Sequence, residues 1–209
     1  MKEHRRKSAL GRIYAWLAHA DSPGAVDLLF VLAGRGDRKR HALQLYRKGN
    51  APRLLLSVGR FEIRRFRELD LPQAFDLKEI ASQVPPPLRH FFLYFDGYRW
   101  NVDRIPIGRF GTLSEIRALG TLLDAHPEIA AIGAVSSGAH LRRVGLCCRA
   151  LLPARIRVRL IAVPESSADL DRQDGQDFGR SFGLILCELI KLACYRLVLA
   201  LGGARRRSD

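Results

Sequence analysis

The chain has 209 residues, 47% of them hydrophobic and 27% charged, a composition that is typical of a globular protein and excludes a disordered or fibrous one. One domain with terminal extensions is the expected organisation for this length. The 35 Lys and Arg residues outnumber the 21 Asp and Glu residues, and the net charge is +14. Basic surfaces attract nucleic acids, anionic lipids and phosphorylated metabolites alike, and an arginine-rich genome would produce the same excess. The charge therefore selects no partner and gives no specific nucleic-acid signal.

The N-terminal segment, residues 1–24, is predicted to form an amphipathic helix. It begins with a basic stretch like that of a signal peptide, but Gly11, Arg12 and His19 interrupt the apolar region and no clear cleavage site follows. Residues 21–24, with the sequence DSPG, are typical of a helix end. We therefore expect a protein that is not secreted.

Between residues 25 and 180, short apolar runs alternate with segments of helical periodicity. Strands are predicted over residues 27–33, 53–57, 91–95, 98–105, 129–135 and 158–163, and helices over 38–48, 112–126 and about 138–152. The segment between 61 and 90 is mixed, because prolines interrupt its helical pattern. The alternation predicts an α/β fold, a three-layer α/β/α sandwich around a Rossmann-like, mostly parallel sheet.

The C-terminal segment, residues 181–209, is predicted to be an apolar helix followed by a basic tail. Glu188, Lys191 and Tyr195 share one stripe of this helix, and the rest of its surface is largely apolar. The prediction is a helix that covers the sheet. The alternative is peripheral contact with the inner face of a membrane, helped by the arginines of the tail. A spanning helix is the least favoured interpretation, since charges in mid-span cost several kcal/mol in lipid.

The four cysteines form no recognisable framework. Cys147 and Cys148 are adjacent, and Cys187 and Cys194 lie seven residues apart in a predicted helix. Such spacings suit neither a disulfide nor a zinc site, so we expect reduced thiols, a cytoplasmic protein and no metal.

The loops after three strands carry the candidate binding residues, because ligands of open parallel sheets bind at the carboxyl ends of the strands. Small residues there let backbone N–H groups approach a ligand, and arginines supply positive charge. The candidates are Gly34, Arg35, Gly36 and Arg38 after the first strand, Ser57 and Gly59 after the second, Thr112 at a helix start, and Ser136, Ser137 and Arg143 after the strand at 129–135. They predict a phosphate or carboxylate site. The first loop is not a complete dinucleotide fingerprint, and the pattern contains no P-loop lysine.

His140 and Glu115 are the candidate proton-transfer groups. Each candidate also has a structural interpretation. Ser137 would cap the following helix, His140 would be an exposed residue of its first turn, and Arg143 would be solvated. Thr112 and Glu115 fit a Thr-x-x-Glu capping box, which has a purely structural role.

Five motifs follow one another along the chain. They are an Asp-led strand ending in a Gly-rich turn (27–36), the pattern R-x-x-x-A-x-x-L-Y-x-x-G (38–49), the strand end Ser57-Val58-Gly59, a Thr-x-x-Glu helix start (112–115) and Ser-Ser-x-x-His-x-x-Arg (136–143). Over about residues 25–165 this order resembles the YdcF/SanA/ElyC-like family, a bacterial group defined as a domain of unknown function. The chain departs from the family pattern at Val58, Gly138-Ala139 and Arg142. Many members carry an N-terminal membrane anchor, which we do not expect here, and the chain looks more like the soluble branch of the family.

The resemblance implies a role in bacterial envelope biogenesis, with S-adenosylmethionine as a candidate ligand. The leading interpretation is a cytoplasmic protein that binds a small anionic or nucleotide-like ligand, with Arg38 and Arg143 holding the anion. Were it an enzyme, we would expect hydrolysis or transfer on a phosphorylated or glycosylated small molecule. The alternative is a non-enzymatic membrane-surface or protein-interaction factor that uses the basic termini and the C-terminal helix.

Overall fold

The computed structural model describes residues 9–22, 24–73, 76–164 and 177–205. The strands are β1 (Leu28–Val31), β2 (Arg53–Gly59), β3 (His90–Phe95), β4 (Trp100–Arg104), β5 (Ala131–Ser136) and β6 (Arg157–Ala162). The α-helices are α1 (Ala9–Leu17), α2 (Gly36–Arg47), α3 (Leu77–Ser82), α4 (Gly111–Ala125), α5 (Leu141–Leu151) and α6 (Asp177–Arg205). Short 3₁₀ helices cover Ile63–Glu68, Pro86–Leu88 and Gly138–His140. Each predicted strand and helix between 27 and 163 is present with bounds shifted by a few residues.

The six strands form one sheet in the order β4-β3-β2-β1-β5-β6. Strands β2, β1, β5 and β6 are parallel, whereas β3 is antiparallel to both β2 and β4. The chain leaves β1 toward β2 on one side and later returns to β5 on the other, so a switch point lies between β1 and β5. Because β3 runs in the opposite direction, its first residue, His90, pairs with Gly59 at the carboxyl edge of the parallel strands.

Helices cover both faces of the sheet, which confirms the predicted sandwich. Alternate residues of β1 point to opposite faces, as the period of a strand requires. Leu29 and Val31 belong to a core shared with α2 and α3, and Leu28 and Phe30 to a core shared with α4 and α5. The interior of β1 is buried on both sides, as is typical of a central parallel strand.

The helices α1 and α6 form a separate layer against α5. Leu17 of α1 and Ile185 and Leu192 of α6 make a third, smaller apolar cluster. The polar stripe of α6 turns inward, because Tyr195 is buried and Glu188 contacts α5. Its apolar side is largely exposed at Phe182, Leu184, Leu186, Ile190, Leu197 and Leu201. The prediction that α6 would cover the sheet with its apolar surface is therefore wrong, since α6 lies mainly on α5 and leaves much of that surface in solvent. No helix among residues 9–22, 24–73, 76–164 and 177–205 is long and apolar enough to cross a membrane.

Candidate functional site

Polar side chains collect where the parallel strands end. In the part of the chain that the structure describes, the buried polar or charged residues are Arg38, Lys39, Ser57, Thr112, Glu115, Ser136 and Arg143. All of them lie at the carboxyl edge or on the helices beside it. We call the carboxyl-edge cluster the set formed by Arg38, Ser57, His90, Thr112, Glu115, Ser136, Ser137, His140 and Arg143. Eight of these nine residues are sequence candidates, and His90 is the addition.

Glu115 joins β1 to the β2–β3 side of the cluster. Its Oε1 accepts a hydrogen bond of 2.8 Å from the backbone N–H of Ala33 and lies 3.7 Å from His90 Nε2. The same His90 nitrogen is 2.7 Å from Ser57 Oγ. Burial by itself would raise the pKa of Glu115, but the hydrogen bonds from His90, Ser57 and Ala33 outweigh it and lower that pKa. Glu115 is therefore an ionised, buried carboxylate at neutral pH.

The predicted capping box is absent. The residue before α4 is Phe110, which makes no side-chain capping bond, and Thr112 and Glu115 both lie inside the helix with their side chains in the cluster. Ser137 likewise makes no capping bond and receives a hydrogen bond from Arg38 instead. These residues therefore serve contacts between elements, and the local capping interpretation is wrong.

Arg38 crosses from α2 to the loop after β5. Its Nη1 donates to the carbonyl of Ala33 and its Nη2 to Ser137 Oγ, both at 2.8 Å. Its Nε is buried and has no hydrogen-bond partner among the residues that the structure describes. Gly34, with φ of +130°, lies directly over this guanidinium, and a Cβ there would come within 3.0 Å of Nη1. The glycine in this loop thus makes room for the arginine.

His140 sits between the loop after β5 and the start of α4. Its Nδ1 is 3.0 Å from Ser136 Oγ, and its Nε2 is 3.4 Å from Thr112 Oγ1. Burial, followed by the charges of Arg143 and Arg38, holds the pKa of His140 well below its ordinary 6.5. The imidazole is therefore neutral at pH 7, and the interpretation of His140 as an exposed first-turn residue is wrong.

Arg143 is buried at 8% exposure and is fully engaged. Its Nη1 donates to Thr112 Oγ1 at 2.8 Å, and its Nε and Nη2 form a fork to the Glu188 carboxylate at 3.2 and 3.0 Å. The guanidinium also lies 5.0 Å from the centre of the Tyr195 ring. The expectation of a solvated Arg143 is thus wrong. Neighbouring Arg142 instead stacks on Trp16 of α1.

Arg35 and Gly36 do not join the cluster. They line an open groove of about 890 Å³ on the α2 side, which also receives Gly34, Arg40, Phe61 and Arg65. We call this the α2 groove. Arg35 bonds to Asp37 at 2.9 Å and is 66% exposed. Gly59 donates its N–H to Glu62, whose carboxylate pairs with the buried Lys39 in the wall of the groove. The loop after β1 therefore faces two different environments.

Three contributions to this region were not predicted from the sequence. They are His90, the buried Lys39–Glu62 pair, and the contact of Glu188 with Arg143. The antiparallel direction of β3 places His90 at the carboxyl edge, but the apolar pattern of a strand does not reveal whether it runs parallel or antiparallel to its neighbour. The other two contacts join residues far apart in the chain, and no local sequence spacing predicts them.

Chemically, the carboxyl-edge cluster is suited to hold an anion. Two guanidinium groups, four hydroxyl groups and two imidazoles, of which that of His140 is neutral, meet the Glu115 carboxylate beside the switch point of the sheet. No group of three or more His, Cys, Asp or Glu side chains able to hold a metal occurs within the described ranges.

Comparison with protein-family models, with curated proteins and with solved structures gives no match for the chain. The site must therefore be interpreted from its own geometry.

Proposed function

We propose that the protein binds a small anionic or nucleotide-like ligand, with a phosphate or carboxylate group held at the carboxyl-edge cluster. The burial of Arg38 without a salt bridge is the observation that carries the proposal. Its guanidinium is buried, has no salt bridge in the described part of the chain, and keeps an unbonded Nε. Burial lowers the pKa of Arg38 even though the charges of Asp37, Glu115 and Glu62 act in the opposite direction. A buried cation without a salt bridge is unfavourable, and a bound anion would supply a direct countercharge.

The chemistry around Arg38 supports the same proposal. The hydroxyl of Ser137 and the neutral His140 provide uncharged partners, while the ionised Glu115 is already engaged by Ala33 and lies near His90. An anion next to Arg38 would therefore meet these donors, and the carboxylate of the cluster, Glu115, already accepts a hydrogen bond from Ala33. His140 and Glu115 remain the candidate groups for proton transfer in a hydrolase or transferase reaction.

The resemblance to the YdcF-like family adds the biological setting. Under this proposal the protein is a cytoplasmic member of that family, associated with envelope biogenesis in a bacterium. S-adenosylmethionine is a candidate nucleotide-like ligand, since it combines a carboxylate with an adenine nucleoside.

Titration calorimetry with inorganic pyrophosphate and with S-adenosylmethionine tests the proposal. Replacing Arg38→Gln should weaken binding of the ligand at least about tenfold, because charge-assisted hydrogen bonds to an anion are worth about 1.5–3 kcal/mol. The matched control is Arg40→Gln, which removes an exposed arginine of the same helix. Equal affinity in both variants, with thermal unfolding unchanged, would contradict the proposal.

A second candidate function follows from the exposed apolar side of α6. Leu197 and Leu201 are each 61% exposed, and Ile190 is 55% exposed. A contiguous apolar stripe on a basic protein supports peripheral binding to anionic lipid. Sedimentation with phosphatidylglycerol vesicles tests this alternative. Ile190→Gln with Leu197→Gln should abolish it, and deletion of residues 203–209 should weaken it, whereas Arg38→Gln should leave it unchanged.

A further inference from the structure

Arg143 and Arg38 differ in the partners of their guanidinium groups. The guanidinium of Arg38 makes no salt bridge in the described ranges, whereas that of Arg143 donates to both oxygens of the Glu188 carboxylate, at 3.0 and 3.3 Å from Nη2 and 3.2 Å from Nε. The two side chains are shielded from solvent, with 9% of Arg143 and 14% of Glu188 exposed. Glu188 belongs to α6, which approaches the cluster from outside the sandwich. A carboxylate is therefore already present on one of the two arginines of the proposed site.

The contact has the geometry of a bound ligand. A planar carboxylate facing the fork of an arginine is how proteins recognise carboxylate and phosphate groups of small molecules. Thr112 completes the arrangement by accepting from the remaining Nη1 of Arg143. Lys191 Nζ, one turn along α6, also donates to Glu188 Oε1, at 3.0 Å.

The helix that carries Glu188 is attached by few apolar contacts. Among the described side chains of α6, only Ile185, Leu192 and Tyr195 are buried. Ile185 and Leu192 belong to the small third cluster, whereas Tyr195, with half-buried Val198 and Leu199 beside it, reaches the edge of the core that α4 and α5 share with the sheet. Elements with few buried apolar contacts open at the lowest free-energy cost. Detachment of α6 would remove Glu188 from Arg143 and expose Tyr195, but it would break none of the strand pairings of the sheet.

We propose that Glu188 is an internal anion that occupies the Arg143 subsite and competes with the ligand for it. The proposal rests on the proposed function, since it concerns the same site. The ligand then carries an anionic group comparable in size to a carboxylate or phosphate, and that group takes the place of Glu188. The α6 helix acts as an autoinhibitory segment, and whatever weakens its hold on α5 raises the affinity of the site.

Calorimetry with inorganic pyrophosphate on the full chain tests this inference. Glu188→Gln keeps the size of the side chain but removes its charge, so it should raise the affinity about tenfold, within the usual range of coupling between sites. Glu188→Ala, which also vacates the space, should raise it further. The matched control is Glu79→Gln, which changes the net charge equally at an exposed position on α3 and should leave the affinity unchanged. Adding Arg143→Gln to Glu188→Gln should abolish the gain.

The outcomes separate this inference from the proposed function. If wild-type protein binds pyrophosphate through Arg38 and Glu188→Gln binds it no more tightly, Glu188 has only a structural role and the inference alone is overturned. A lower midpoint of thermal unfolding with unchanged affinity leads to the same conclusion. If neither protein binds pyrophosphate, both the inference and the assignment of a phosphate group to the site fail. A gain in Glu188→Gln that persists after Arg143→Gln would also overturn the inference.

Discussion

Two regions meet at the loop after β1, the carboxyl-edge cluster and the α2 groove, and an arginine in one is buried while an arginine in the other is exposed. Arg38 points into the carboxyl-edge cluster and is buried, whereas Arg35, three residues earlier, points into the α2 groove and is 66% exposed. The side chain of Arg35 has a carboxylate partner in Asp37, whereas the guanidinium of Arg38 donates only to neutral oxygens. Burial and not sequence position therefore decides which arginine would benefit from a ligand.

The largest expected effect contrasts a buried charge with an exposed one in the wall of the α2 groove. Glu62→Ala would leave Lys39, which is 1% exposed, without its countercharge and should destabilise the protein by about 3 kcal/mol. Glu68→Ala removes an exposed partner, 3.9 Å from Arg40, and should cost no more than about 0.5 kcal/mol. Urea unfolding of both variants measures the difference. Equal losses would show that burial does not set the strength of these pairs.

A smaller effect concerns the pH dependence of the carboxyl-edge cluster. Because burial and then the charges of Arg143 and Arg38 depress the pKa of His140 in the folded protein, the unfolded chain binds a proton near pH 6.5 that the folded protein does not. The contribution of His140 to stability is therefore fully present above pH 6.5 and decreases as the pH falls below it, by at most about 1.4 kcal/mol per pH unit.

Urea unfolding at pH 7.5 and 5.5 checks this dependence. His140→Gln should remove part of the loss in stability between the two values, while His19→Gln, at an exposed position, should retain it. Identical losses in the wild type and the His140 variant would mean that the imidazole is protonated in the folded protein as readily as in the unfolded chain.

An effect of similar size distinguishes the two glycines of the shared loop. Gly34→Ala places a Cβ 3.0 Å from Arg38 Nη1 on a backbone with φ of +130°, and should cost about 1–2 kcal/mol. Gly36→Ala meets only the tip of Arg40 at 3.9 Å and should be neutral within about 0.5 kcal/mol, since Gly36 begins α2. Thermal unfolding measures both variants. A Gly34 variant as stable as the Gly36 variant would contradict the close approach of Arg38.

Much of the site was predictable because strand ends are predictable. Apolar runs bounded by glycine and serine mark where β1, β2 and β5 end, so Arg38, Ser57 and Ser136 could be expected at one edge. The same reasoning grouped Arg35 with Arg38, and only the direction in which α2 starts separates them. The capping interpretation of Glu115 was wrong because its carboxylate bonds to Ala33, 82 residues away, and a local motif says nothing about that partner.

The sequence by itself determined the order of the strands and helices, their approximate bounds and the layered α/β class, because these follow from the period of apolar residues along each segment. The tertiary structure alone decided the antiparallel direction of β3, which brings His90 to Ser57, and the inward turn of the polar side of α6, which brings Glu188 to Arg143. The physical reason is that hydrophobic periodicity specifies which face of an element is buried but not which partner it meets. Partners separated by tens of residues are chosen by the packing of the whole chain.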